Sequence, residues 1–431
     1  MTTLKLRPLA AFGLIVSITA CASVATHPPA PRAADSTVIH DDIAYLASDR
    51  LEGRLTGSVG NDSAAAYIAR RYAKLRLRPG SSGYLQKFIA RSAADAHAGT
   101  TQGRPTQNVI AILPGSDPHL AGQYIVVGAH FDHLGRDGQF ALDPEAKDAI
   151  RNGADDNASG TAAVLQLARI LAPTHPRRSI IFANFSGEEE GLLGSQWFVE
   201  HPPVPLDSII AMVNFDMVGR LNSDKLIIYG TATATEFAAI LDSANAKSAV
   251  PFKVSGGGDG FGSSDQSSFY AKNIPVLHFF TDLHSDYHRA TDDADKINSS
   301  GEARVVDLAT RVIQSLDKLP GRLSFVRLTT PSRMAVSASS GNQVYLGSVP
   351  DMAAGDIPGL KLTGVRPGSP AELGGLKADD IIIEFGGAKV TDLQSYSDAL
   401  YAHKPGEAVK VIVLRAGKPV ELTVTLGKRG G

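Results

Sequence analysis

YIVVGAHFDHLG, residues 124–135, decides the fold. Its first six residues form an apolar run rich in β-branched side chains, and His130 stands where that run ends. A near-continuous apolar run of this length suits a strand buried on both faces of a parallel-rich sheet. Three further stretches follow the same plan. SIIFANF (179–185) is followed within a few residues by Glu188 and Glu189, IIAMVNF (209–215) by Asp216, and PVLHFF (275–280) by the loop carrying His288. Helical patterns lie between them, such as GTAAVLQLARIL (160–171). Strands alternating with helices indicate an α/β fold with a mixed, largely parallel central sheet flanked by helices. Open α/β sheets bind ligands beyond the carboxyl ends of their strands, which is where these polar residues fall.

Five of the residues are of metal-binding type: His130 in AHFDHLG, Asp156 in GADDNASG, Glu189 in SGEEEGLLGS, Asp216 in NFDMVGR and His288 in DYHRATDD. Taken singly, each segment has an ordinary reading. A strand-end Asp caps a turn, acids favour the first turn of a helix, and GADDN has turn composition. Taken together at strand ends, they make a donor set. Zinc takes imidazole nitrogen and carboxylate oxygen. Two histidines and three carboxylates can hold two divalent cations if one carboxylate bridges. Two dications, three carboxylates and one hydroxide sum to a neutral centre. Glu188, directly before one ligand, is then left as general base. Coordination lowers the pKa of water from about 15.7 to roughly 7, which supplies a hydroxide nucleophile at neutral pH.

In this order the segments resemble the co-catalytic zinc aminopeptidase family, which also has glutamate carboxypeptidase-type and glutaminyl cyclase-type relatives. The resemblance runs from about residue 42 to about residue 316 and includes LASDRLEGRLTGSVG (46–60) and NVIAILPG (108–115). It implies that Asp156 bridges two zinc ions, with His130 and Asp216 completing one site and Glu189 and His288 the other. It implies Glu188 as general base, Asp132 as the acid hydrogen-bonded to His130, and a cis peptide between Asp156 and Asn157. A tyrosine at the place of Tyr287 donates to the tetrahedral intermediate in the carboxypeptidase branch; packing is the other role open to it. Relatives often have His where SDQSSF carries Gln266, so a substrate role for that loop is not carried over. Asp155 reads as loop-shaping and Glu190 as solvent-facing. His133 and His284 stand between a substrate contact and a surface position. Gly256–Gly262 lacks the strand–GxxxxGK[ST]–helix order of a phosphate loop and reads as a flexible loop near the pocket. The implied activity is that of an aminopeptidase acting on peptide substrates. The alternatives within the fold are a carboxypeptidase, with Arg220 and Arg289 available to clamp a carboxylate, or a one-zinc cyclase.

The ends of the chain add an address and a second module. Lys5 and Arg7 precede a short apolar run, 9–20, which leads to Cys21, the only cysteine in 431 residues. This is the pattern of a secretory signal, too short for a spanning helix of about 20 residues. ITAC resembles a bacterial lipobox, so Cys21 would be lipidated after cleavage and the protein anchored in the bacterial cell envelope. Ala22 after the cysteine points to the outer membrane, facing the periplasm. One cysteine leaves no internal disulfide. The net charge of −2 gives no electrostatic footprint for nucleic acid. Near the other end, GVRPGSPAELGGLKADDIIIEFGG resembles a bacterial PDZ domain. That resemblance implies a carboxylate-binding loop at Tyr345, Leu346, Gly347 and Ser348, where a peptide C-terminus is captured as an added strand. The expected division is a signal peptide at 1–21, a tether at 22–37, a di-zinc peptidase domain at 38–325, a linker at 326–340 and a PDZ-like domain at 341–428. A reading of another class is a peptide-binding lipoprotein dominated by the PDZ-like domain; the intact ligand set and Glu188 weigh against it.

Overall fold

The computed structural model describes residues 1–3, 33–91, 103–136, 141–143, 146–258, 260–262, 264–328, 344–350, 357, 359–365, 368–391 and 393–428. Cys21, most of the expected tether and most of the expected linker lie outside them. The first domain is built on strands β1 (Arg78–Pro79), β2 (Leu85–Ala90), β3 (Arg104–Leu113), β4 (Tyr124–His130), β5 (Ser179–Phe185), β6 (Ile209–Phe215), β7 (Lys225–Tyr229), β8 (Lys253–Ser255) and β9 (Val276–Phe280). Among the described residues they form one nine-stranded sheet in the order β1-β3-β5-β4-β6-β9-β7-β8, with β2 also paired to β3. The centre, β5-β4-β6-β9, is parallel, and β3 and β7 join it antiparallel. The parallel character is therefore that of the sheet's middle. Every residue of β5 and β6 is buried, which is why these strands read as unbroken apolar runs.

Helices cover both faces. One core holds side chains of α1 (Ser36–Leu46), α2 (Val59–Lys74), α3 (Gly160–Leu171), α5 (Phe237–Asn245) and α7 (Ser299–Lys318). The other holds Phe198 and Val199 of α4 (Leu193–Glu200) and Phe269 and Tyr270 of α6 (Gln266–Ala271). The Asp35 carboxylate caps α1 by accepting from the backbone N–H groups of Thr37 and Val38, at 3.1 and 3.3 Å. Ser36 and Thr37, read as tether, are thus the first turn of a helix. At the other boundary Val326 N–H donates to the Thr233 carbonyl at 2.9 Å, and Leu328 N–H to the Tyr270 hydroxyl at 3.1 Å. The domain therefore continues past residue 325 into the expected linker.

A buried cation ties the loops above the sheet together. Arg54 is completely buried and donates to the carbonyls of Phe131 (2.7 Å), Leu46 (2.6 Å), Asn152 (2.6 Å) and Gly153 (3.0 Å). Those carbonyls belong to the loop after β4, the end of α1 and the segment leading to Asp156. Burial pushes the guanidinium down to about 10, so it keeps its charge at neutral pH.

The second domain packs its own core around Leu362, Ile382, Phe385, Val411, Val413 and Val424. Its strands are β10 (Val344–Tyr345), β11 (Ser348–Pro350), β12 (Leu360–Val365), β13 (Ile381–Phe385), β14 (Ala388–Lys389), β15 (Ala408–Arg415), β16 (Lys418–Thr425) and β17 (Gly427–Lys428), with helices α8 (Pro370–Leu373) and α9 (Leu393–Tyr401). The β15–β16 hairpin turns on Ala416 and Gly417, both at positive φ (50° and 76°), as a tight two-residue connection requires. In the order β11-β12-β13-β15-β16, β11 is an edge strand.

Candidate metal centre

Each expected ligand arrives on the element read for it. His130 closes β4, Asp216 follows β6, and His288 lies in the loop after β9. Glu188 and Glu189 sit in a turn after β5 that begins at Gly187, at a φ of 83°. Backbone bonds from Leu192 N–H to the Glu188 carbonyl and from Leu193 N–H to the Gly187 carbonyl, both 2.9 Å, close that turn. Asp156 comes from the opposite direction, in the loop Ala154–Ser159 before α3. The Asp156–Asn157 peptide is cis, as the resemblance implied. The approach needs Gly153: at its φ of 56°, a Cβ would collide with the Asp156 carbonyl and the His133 ring.

The five ligands converge on two points that share Asp156. His130 Nε2 lies 3.4 Å from Asp156 Oδ1 and 3.4 Å from Asp216 Oδ1. His288 Nε2 lies 3.1 Å from Asp156 Oδ2 and 3.1 Å from Glu189 Oε2. Two donors about 2.0–2.1 Å from zinc at tetrahedral angles stand roughly 3.3 Å apart, so these spacings fit that ion. His130 Nδ1 is 3.2 Å from the Asp132 carbonyl oxygen. A proton on Nδ1 would be donated there, leaving the Nε2 lone pair for a metal.

Electrostatics separates the two adjacent acids. Burial raises both, but His288 and His133 outweigh it and hold Glu189 well below the usual carboxylate range. Burial, with Glu189, Asp216 and Asp265 beside it, pushes Glu188 well above that range despite His130. The two adjacent carboxyls are thus driven apart, one held ionised and the other holding its proton more tightly. Burial would depress the imidazoles of His130 and His288; Asp216 and Glu188 around the first, and Glu189 and Asp156 around the second, hold both well above their usual value.

Several residues sit otherwise than the sequence suggested. The Asp132 carboxylate is 3.7 Å from His130 Nδ1, beyond a hydrogen bond. It accepts instead from Glu188 N–H at 3.2 Å, in the turn after β5, and from Thr56 Oγ1 at 3.0 Å, in the segment before α2. Glu190 does not face solvent: its side chain is mostly buried in an ion pair with Arg104. His133 is fully buried, with Nδ1 2.7 Å from Glu189 Oε1 and 3.7 Å from Asp156 Oδ2. The first spacing is that of a hydrogen bond and is too short for two ligands on one tetrahedral ion, so His133 orients Glu189. His284 Nε2 pairs with Asp155 Oδ2 at 3.1 Å. Gln266 is buried and accepts from Asn214 Nδ2 at 3.1 Å. Tyr287 stacks on His288, ring centroids 3.9 Å apart, and its buried hydroxyl is raised well above its usual value by burial and by Asp156, Glu189, Glu188 and Asp216. Arg220 Nη2 is 3.1 Å from Asp286 Oδ2 and 3.1 Å from Asp292 Oδ1, so it is already neutralised.

Residues 108–313 match the model of peptidase family M28, and residues 334–426 match that of the PDZ domain. The chain thus carries an M28-like peptidase region followed by a PDZ-like region. Leupeptin-inactivating enzyme 1 of Streptomyces exfoliatus is 29% identical over 208 residues, covering 47% of this chain and 42% of that protein. A probable zinc metalloprotease of Pyrenophora teres f. teres is 38% identical over 117 residues, 27% of this chain and 23% of that one. The chain thus spans less than half the length of these curated relatives. Among solved structures, a Zn-dependent exopeptidase from Parabacteroides distasonis superposes with a TM-score of 0.55 at 18% identity, covering 67% of this chain and 99% of that one. Bacteroides thetaiotaomicron glutaminyl cyclase superposes with a TM-score of 0.54 at 17% identity, covering 66% and 99%. At these identities the likeness is one of fold.

Sequence reading missed the residue that holds the Asp156 loop. Asp292 is fully buried, and its Oδ2 accepts from the N–H groups of Asp155 (2.9 Å) and Asp156 (3.1 Å), while Arg220 neutralises its Oδ1. Its place in HRATDD, four residues after His288, was the available signal. Asp292→Asn removes charge from these bonds and puts an amide where two backbone donors point. We expect zinc affinity, read by competition with a chromophoric chelator, to fall about 10–100-fold, the usual worth of a partner behind the ligands. Unchanged affinity in a folded variant would contradict this role.

Proposed function

We propose that the protein is a zinc-dependent aminopeptidase that releases N-terminal residues from peptides, with Glu188 as general base. The observation that carries the reading is Asp156, which offers one oxygen to His130 and Asp216 and the other to His288 and Glu189, with Glu188 buried alongside. Two zinc ions at these donor sets would supply Lewis acidity at the scissile carbonyl and an acidified water as nucleophile. Glu188 takes the proton of that water and returns it to the leaving amine. Asp132 fixes Glu188 from behind through the backbone N–H, and His133 fixes Glu189. Tyr287 holds the plane of the His288 ring. Arg220 is occupied by two carboxylates, which removes one of the two cations that a carboxypeptidase could use for the substrate's terminal carboxylate.

The PDZ domain is assigned a separate role, capture of peptide C-termini. Gly347 has a φ of 83°, the Leu346 carbonyl accepts from Ala371 N–H at 2.8 Å, and Ser348 opens the edge strand β11. An added peptide strand has a sheet edge to pair with there. Ser348 Oγ and the Tyr396 hydroxyl, 2.6 Å apart, link β11 to α9. We also propose export and lipid anchoring through Cys21; no helix among the described residues is long and apolar enough to cross a membrane.

Glu188→Gln is expected to retain the parent's zinc content while turnover of an aminoacyl reporter falls about 10²–10⁴-fold. Acetylating the substrate's N-terminus should abolish cleavage by the parent. Loss of zinc in the variant would overturn the general-base assignment, and equal rates on free and blocked peptides would overturn the aminopeptidase reading.

Cys21→Ser is expected to move the protein from the membrane fraction to the soluble periplasmic one. Single-chain lipidation binds only marginally, so stable attachment depends on the several acyl chains such a cysteine would carry. A processed Ser variant that stays with the membrane would contradict the anchor.

A further inference from the structure

Two residues before Asp216, Asn214 of β6 lies opposite His278 of β9. By strand alternation both face the side of Met212 and Val276, which pack in the core with Phe198 and Phe269 of α4 and α6. Asn214 is completely buried and His278 is 7% exposed. Asn214 Nδ2 donates to Ser264 Oγ at 2.9 Å and to Gln266 Oε1 at 3.1 Å, while its Oδ1 has no donor among the described residues. Among the described residues His278 has no hydrogen-bond partner on either ring nitrogen; Tyr229 and Phe280 meet it edge-on at 5.8 and 6.0 Å. Next to Ser264, Asp265 is fully buried, and among the described residues neither carboxylate oxygen has a well-aligned donor, although the Ser195 hydroxyl lies close enough to stabilise its charge. Asn214 stands two residues before Asp216 at the end of β6, which brings the group to the layer beneath that candidate ligand.

Buried polar atoms are almost always paired, so five unpaired atoms on three neighbouring side chains call for a reason. Stability is not the reason. His278 stands in VLHFF among apolar residues, and an apolar side chain of its shape would serve the strand as well or better. Burial pushes His278 down to about 4, so the ring is neutral and offers one donor and one acceptor. Asn214 Oδ1 and the Asp265 oxygens add only acceptors. The unmet capacity of the group is mainly for N–H donors.

In the proposed reaction the scissile carbonyl lies at the metals, within reach of Glu188. The first residue's side chain branches from the carbon next to that carbonyl, so its subsite must adjoin the same groups. We propose that Asn214, His278 and Asp265 line the subsite for the substrate's N-terminal side chain and select side chains ending in N–H donors, carboxamide or ammonium, over aliphatic ones. This inference rests on the aminopeptidase reading above.

The test compares kcat/KM of the full-length, zinc-loaded chain on Asn-Ala, Gln-Ala, Lys-Ala and Leu-Ala. Thermal-shift titration with the four free amino acids is read alongside. At least one N–H-bearing residue should exceed Leu by about tenfold or more, the scale on which paired polar sites discriminate. Preference for Asn or Gln would assign a carboxamide; preference for Lys would assign an ammonium facing Asp265. His278→Leu should shift selectivity toward Leu by about tenfold with no fall in melting temperature, a combination that a structural role would not produce. Leu favoured by the parent, or selectivity unmoved in the variant, overturns the subsite and leaves the aminopeptidase reading standing. If no dipeptide is cleaved while donor-bearing amino acids still bind in a His278-dependent way, the aminopeptidase reading fails and the subsite stands. No preference in either measurement overturns the subsite.

Discussion

Mutual repulsion of buried carboxylates is the constraint on which the rest of the structure depends. Asp132, Asp156, Glu188, Glu189, Asp216 and Asp265 crowd the carboxyl ends of the central strands, in the company of three imidazoles. Two like charges 4 Å apart repel by about 4 kcal/mol at an effective dielectric near 20. No arrangement of neutral side chains offsets several such pairs. In the proposed centre the sharing of Asp156 would answer this directly, since one carboxylate would serve two cations and the ligand set would remain small enough to neutralise.

That solution demands a rigid frame, and the frame is made of backbone contacts. Arg54 gathers four carbonyls from three segments, and Asp292 gathers the two N–H groups that precede the shared carboxylate. Asn157 adds a third tie, donating to the Phe215 carbonyl at 2.9 Å and accepting from Met217 N–H at 3.2 Å. The loop of Asp156 is thereby fixed to the end of β6, where Asp216 emerges. A buried guanidinium or carboxylate that loses its partners is strongly destabilising, so these groups hold geometry as well as charge.

The sheet was legible because its central strands are buried on both faces, so periodicity reduces to apolar runs with a polar residue at the end of each. Four of the candidate ligands were legible for the same reason, whereas Asp156 follows no apolar run and was read from the family resemblance. Arg54 and Asp292 were not, because their partners are main-chain groups far away in sequence, and main-chain groups leave no residue-type signature. His133 and Glu190 were open from sequence because adjacency to a ligand does not say which way a loop turns. The start of α1 was hidden by the Pro- and Ala-rich stretch before it, although Asp35 ahead of a periodic segment is a cap signal. His278 was read as part of an apolar strand, and its unpaired ring is visible only in three dimensions.

The central claim is that one carboxylate belongs to both metal sites. Zinc content of the purified chain by plasma mass spectrometry, compared across the parent, Asp156→Ala and Asp216→Ala, tests it most directly. The account requires two zinc ions per parent chain, about one in Asp216→Ala, and loss of tight binding at both sites in Asp156→Ala. An Asp156→Ala protein that is folded and keeps one zinc at parental affinity would contradict it.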